Sequence, residues 1–172
     1  MTDIKLGEKH QGGEIFNLYQ AFGEVLTAQS ILQWDENYPG REFVKEAIDH
    51  NDLYVMLKGG NIIGAVILNE AETPEWEAVE WRDVIGKPLV LHGLCISPTH
   101  QGKGYGRKMI EWCEDYARQY GYTSVRLDTF DGNPVSNRLY LHSDFQLRGY
   151  VEFTHRPKDC QRYNCYEKWI SI

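Results

Sequence analysis

The sequence predicts an α/β protein of the α+β type, with a mixed, mostly antiparallel sheet flanked by helices. Three observations carry that reading. Read along the chain, the elements run β-α-α-β-β-β-α-β-α-β-β. Lys58-Gly59-Gly60-Asn61 joins two apolar runs as a hairpin turn, its glycines supplying positive φ. Residues 89–120 place a dense apolar run, a glycine-rich loop and a helical pattern in immediate succession.

Taken in order, residues 4–6 read as a first strand. From Glu14, the residues Ile15, Phe16, Leu18, Tyr19, Phe22, Val25 and Leu26 recur at helical spacing, which predicts a helix to about Thr27. Residues 30–34 are expected to add a further helical turn before Asn37-Tyr38-Pro39-Gly40 breaks it. Residues 41–49 form a second helix with Phe43, Val44, Ala47 and Ile48 inward, and strands over 53–57 and 62–68 flank the hairpin. Residues 71–87 are polar, lack a period and carry Trp76 and Trp81; they read as a long loop with one helical turn, a length often tied to function. The strand 89–96 is interrupted by His92 and Gly93 and broken by Ser97, Pro98 and Thr99. Met109, Ile110, Trp112, Cys113, Tyr116, Ala117 and Tyr120 then follow one helix face, which Gly121 ends. A strand over 125–128 precedes a helix from Pro134 to about His142 with Asn133 as its N-cap. Strands over 146–153 and 163–169 complete the set.

With 172 residues the chain fits one domain with a proper core, and 42% hydrophobic and 25% charged residues are ordinary for a globular protein. A net charge of −7 argues against a general nucleic-acid binder and suits a cationic amine substrate. No apolar run is long enough to cross a bilayer, so no membrane partner is expected. The start, MTDIKLGEKH, shows no secretory pattern, so cytoplasmic localisation is expected. Cys95, Cys113, Cys160 and Cys165 lack metal-ligand spacing and read as free thiols, with no metal expected. A homodimer is compatible with the sequence and not read from it.

Buried strand, glycine-rich turn and helix start are the order in which unpaired backbone N–H groups and a helix dipole converge on an anion. The loop is not a P-loop, since no Lys-Ser or Lys-Thr follows its glycines, and Arg107 stands where a dinucleotide fingerprint needs its third glycine. What it contains is Gln101-x-x-Gly104-x-Gly106, preceded by Leu94-Cys95-Ile96-Ser97-Pro98. This resembles the GNAT family of acetyl-coenzyme A-dependent N-acetyltransferases, with their Q/R-x-x-G-x-G/A loop. Downstream, residues 133–145 look like the family's Asn…Leu-Tyr-x-x-x-Gly-Phe segment, with Asp144 where glycine is usual.

The resemblance implies one GNAT-like domain over 1–172 and a splayed strand before the loop. It implies acetyl-CoA as acetyl donor and a small-molecule or peptide amine as acceptor. The pyrophosphate would rest on the backbone of Gln101, Gly102, Lys103, Gly104, Tyr105, Gly106 and Arg107. Leu94, Cys95 and Ile96 would pair with pantetheine, an N–H of Leu94 or Cys95 facing the oxyanion. Asn133 and Asn137 resemble positions that hold the pantetheine arm or the helix start. Tyr140 matches the tyrosine that protonates the coenzyme A sulfur, a role suited to a phenol with pKa ~10.

His92 is the first reading for the general base: it lies two residues before Leu94, on the same side of the strand if no bulge intervenes. Its setting resembles the histidine run of arylalkylamine N-acetyltransferases. Glu70, Glu72 and Glu80 are rivals, as is water. Lys108 and Arg138 are either cofactor contacts or solvated charges. Trp34, Tyr38, Trp76, Trp81 and Tyr150 are candidate acceptor-pocket walls, with cation–π attraction available to an ammonium. The alternative is a non-catalytic acyl-CoA-binding sensor of the same fold.

Overall fold

The computed structural model describes residues 1–35 and 37–171. Its elements are β1 (Thr2–Leu6), α1 (Gly12–Ala28), α2 (Arg41–Asp49), β2 (Leu53–Lys58), β3 (Asn61–Asn69), β4 (Pro88–Ile96), α3 (Tyr105–Gln119), β5 (Ser124–Phe130), α4 (Pro134–His142), β6 (Gln146–Glu152) and β7 (Arg162–Trp169). The strands hydrogen-bond in the order β1-β2-β3-β4-β5-β7-β6, a mixed seven-stranded sheet. The chain divides into two compact units. One holds Met1–Leu68 with His92–Met109; the other holds Asn69–Leu91 with the chain from Ile110 onward.

In the first unit, the glycine turn makes β2 and β3 a hairpin. Gly59 and Gly60 sit at φ +57° and +83°, closing Lys58 onto Asn61. β1 pairs antiparallel with β2, from Thr2 opposite Lys58 to Leu6 opposite Tyr54. The expected helical turn over 30–34 is not formed. Ser30 takes φ +59° and the Ile31 N–H returns to the Leu26 carbonyl at 2.9 Å, a left-handed cap that terminates α1. Trp34 follows in a bend and packs edge-on against Tyr19 at 5.5 Å.

In the second unit, β5 is the spine. It pairs parallel with the start of β4, Pro88, Leu89 and Val90 opposite Ser124, Val125 and Arg126, and antiparallel with β7 from Trp169 back to Tyr163. Paired residues share a face. Val125, Leu127 and Thr129, with Lys168, Tyr166 and Asn164, face the helices: Lys168 Nζ bonds Glu114 of α3 at 2.7 Å, and Tyr166 donates to Asn137 of α4 at 2.6 Å. Arg126 and Asp128, with Glu167 and Cys165, face the 71–87 segment.

That segment is not slack. It forms one 3₁₀ turn, Pro74–Ala78, and is pinned by Arg126, whose guanidinium reaches Glu167 at 3.2 Å, Glu72 at 2.6 Å and the Asp83 carbonyl. Tyr120 departs from expectation: it lies beyond α3 and is 55% exposed. Gly121 at φ +73° turns the chain there, and Tyr122 docks instead, its N–H on the Ala117 carbonyl at 2.9 Å. Among the described residues, no helix is long and apolar enough to cross a membrane.

Candidate active site

The glycine-rich loop is tighter than the sequence suggests. Only Gln101 to Gly104 is loop; Tyr105, Gly106 and Arg107 form the first turn of α3, and the Lys108 N–H closes onto the Gly104 carbonyl at 3.1 Å. Gly102 and Gly104 sit at φ +71° and +82°, where a side chain would be strained, and no atom lies within 4 Å of a Cβ built on either. The cradle is therefore open, and the amides of the first helical turn point out of it, as helix geometry requires. Gln101 Nε2 ties the loop to the Ile96 carbonyl at 3.1 Å, and Lys103 Nζ bonds the Thr99 carbonyl at 2.8 Å.

Cations gather beside it. Lys58 and Lys108 lie 5.1 and 5.5 Å from the centre of the Tyr105 ring. The hydrogen bond from Lys58, then the charges of Lys58, Lys108 and Lys103, hold the Tyr105 phenol below its ordinary pKa. Lys58 was missed in the sequence because it lies in the hairpin turn, distant along the chain.

On β4, Cys95 and Ile96 bury their side chains. Burial pushes the Cys95 thiol far up. The condition placed on His92 fails: Gly93, between it and Leu94, takes φ +55°, so simple alternation does not put both side chains on one face. The fully buried Tyr19 hydroxyl donates to the Gly93 carbonyl at 2.8 Å, and a Cβ at Gly93 would meet that hydroxyl at 3.2 Å. His92 is half-buried, and desolvation holds its imidazole at a pKa of about 4.

In the other unit, α4 forms as expected, Asn133 accepting from the Ser136 N–H at 3.1 Å. Asp144, in place of the usual glycine, takes φ +63°, the conformation a glycine would serve. Asn137 is fully engaged inside the protein. Its amide nitrogen donates to the carbonyls of Phe130 and Asn133 at 2.9 and 2.8 Å, and its oxygen accepts from Asn164 and Tyr166 at 2.9 and 2.6 Å. That uses both donors and both lone pairs of the side chain, so Asn137 positions α4 and has no bond left for pantetheine.

Tyr140 is 6% exposed, against Phe145 and Tyr166. Burial first, then the charges of Cys113, Asp128 and Tyr166, pushes its phenol well up, so it stays protonated. Two of the three rival carboxylates are committed, Glu70 to Lys87 and the Tyr122 hydroxyl and Glu72 to Arg126, while Glu80 is exposed. The five aromatic walls fall into separate groups. Trp34 and Tyr38 line a cavity of about 430 Å³ with Tyr19 and Glu24. Trp76 packs on Trp81 at 5.0 Å, and Tyr150, 53% exposed, lies under the Arg162 guanidinium.

The open loop and the lysines beside it suit a polyanionic ligand. A family model described as the acetyltransferase (GNAT) family matches residues 15–145. The chain belongs to the GNAT family. It is 28% identical over 151 residues to YesJ of Bacillus subtilis, described as an uncharacterized N-acetyltransferase, covering 86% of this chain and 79% of that one. Among solved structures, a GNAT acetyltransferase from Streptococcus agalactiae aligns with TM-score 0.83 at 17% identity, over 99% of this chain and 96% of its own. The yncA protein of Salmonella typhimurium, solved with its cofactor acetyl-CoA, aligns with TM-score 0.73 at 16% identity, over 100% and 95% of the two chains. At those identities the likeness is one of GNAT fold.

Proposed function

We propose that this GNAT protein, as one domain over residues 1–172, transfers the acetyl group of acetyl-CoA to a primary amine of a small molecule or peptide. The observation that carries the reading is the open cradle of Gly102 and Gly104 leading into α3, beside Lys58, Lys103 and Lys108. Backbone N–H donors, a helix N-terminus and nearby lysines suit a pyrophosphate. Gln101 through Arg107 would hold it, and the main chain of Leu94, Cys95 and Ile96 would face the pantetheine. The ladder between β4 and β5 joins three residue pairs on a β4 of nine residues, which supports a splayed strand.

Bound acetyl-CoA supplies an activated thioester. In this reading the N–H of Leu94 or Cys95 meets the oxyanion, and Tyr140, kept as phenol, protonates the departing sulfur. His92 is neutral throughout the physiological range, and at a pKa of about 4 it has little driving force to accept a proton, directly or through water.

The test is calorimetric titration with acetyl-CoA, then thiol release in the presence of an amine panel. Binding with turnover supports the transferase. Binding with no turnover on any amine assigns the chain to an acyl-CoA sensor, and absence of binding removes the cofactor assignment.

A further inference from the structure

The two faces of β5 carry different chemistry. Leu127 and Thr129 lie under α4, where Tyr140 packs against Tyr166, the partner of Leu127. Asp128 points the other way, beside Cys165, and the Trp76 indole N–H donates to its Oδ2 at 2.9 Å. Trp76 is itself held. It is 3% exposed, its carbonyl accepts from Trp81 Nε1 at 3.2 Å, and the Arg126 guanidinium stacks 4.5 Å from the Trp81 ring. The other carboxylate oxygen, Oδ1, accepts no hydrogen bond among the described residues, and Asp128 as a whole is only part-buried. One oxygen is fixed and the other is uncommitted, on the strand face opposite Tyr140. That arrangement receives a cation which has to lose a proton.

We propose that Asp128 binds the ammonium of the acceptor and takes its first proton, an assignment that rests on the N-acetyltransferase reading above. An O–H bond forms at Oδ1 as an N–H bond breaks, and the freed lone pair forms the C–N bond to the thioester carbonyl. Collapse of the tetrahedral adduct breaks the C–S bond, and the sulfur takes the Tyr140 proton. The phenolate regains a proton from the nitrogen through water, and Asp128 releases its own to solvent. Ammonium and thioester thus give amide, free thiol and one proton.

The surroundings tune the group. Burial pushes the Asp128 carboxyl up to about 6; the Trp76 hydrogen bond and the Arg156 charge oppose this, and Glu75 adds to it. Tyr163 and Cys165 of β7 and Tyr140 of α4 face the same charge. A base near 6 is ionised at neutral pH yet basic enough to accept a proton, a better match to the task than an imidazole at about 4.

Measurements on the full chain decide it. Wild type and Asp128→Asn should bind acetyl-CoA with equal Kd; a wild type that does not bind removes the transferase reading itself. On amines that turn over, Asp128→Asn should lose at least ~100-fold in kcat/KM, together with the acidic limb near pH 6, while His92→Ala keeps that limb. The reverse pattern overturns the proposal. Trp76→Phe removes a hydrogen bond to the charged form and should move the limb to higher pH; an unmoved limb counts against Asp128. If no amine of the panel turns over, carboxyl ¹³C NMR of Asp128 reads binding directly. Amines should lower its pKa where their alcohol isosteres do not, and a panel of amines without effect overturns the assignment.

Discussion

The glycine loop and the β5 strand make a useful contrast. The side chains Gln101 and Lys103 of the loop are spent on carbonyls of the same segment, so what it can offer a ligand is amide N–H groups and conformation. Such chemistry is written in glycine spacing and survives in a sequence as a pattern. In the proposed reaction the β5 region would work through side chains, Asp128 on one face and, under α4, Tyr140 on the other. Their reactivity comes from burial and from neighbours distant in the chain, for which spacing is no guide.

The largest expected effect tests the side-chain half. Tyr140→Phe should lower kcat by ~100-fold while acetyl-CoA binds as before; a kcat within threefold of wild type would remove the acid role. The next separates catalysis from stability at Asp128. Its carboxyl is at about 6 in the fold against 3.8 for the free group, so the native state holds more protons between those values. Native stability therefore falls as pH rises through that window, and Asp128→Asn should gain up to about 2 kcal/mol above pH 6. Thermal melts at pH 4 and pH 7.5 check this: a gain of equal size at both would contradict it. The smallest effect belongs to the loop. Gly104→Val forces a β-branched residue to φ +82° and should weaken acetyl-CoA binding roughly tenfold. An unchanged Kd by calorimetry would show that the ligand does not need that conformation.

The same contrast explains what could be read in advance. Element order and nearly all boundaries were legible because hydrophobic period, the 58–61 hairpin and the Asn133 cap are local signals. The 30–34 turn was misread because the left-handed cap at Ser30 terminates α1, and Tyr120 because a Schellman-type end hands its place to Tyr122. Asn137 was placed correctly on its helix, but its saturation by Phe130, Asn133, Asn164 and Tyr166 depends on a strand still to come in the chain. Asp128 gave no signal at all. A single acidic residue in a short strand acquires its character only when Trp76 from the 71–87 segment closes over it.

The four cysteines have a consequence for the proposed use of an activated thioester. Cys95, Cys160 and Cys165 are wholly buried and Cys113 is 1% exposed. Burial pushes the thiols of Cys95 and Cys113 far up and that of Cys165 up to about 12. Since only a thiolate attacks an acyl carbon, the protein presents its donor with no competing nucleophile of the donor's own kind. It is thereby guarded against acylating itself, and a disulfide reagent added to the folded protein should report released coenzyme without a background from the polypeptide.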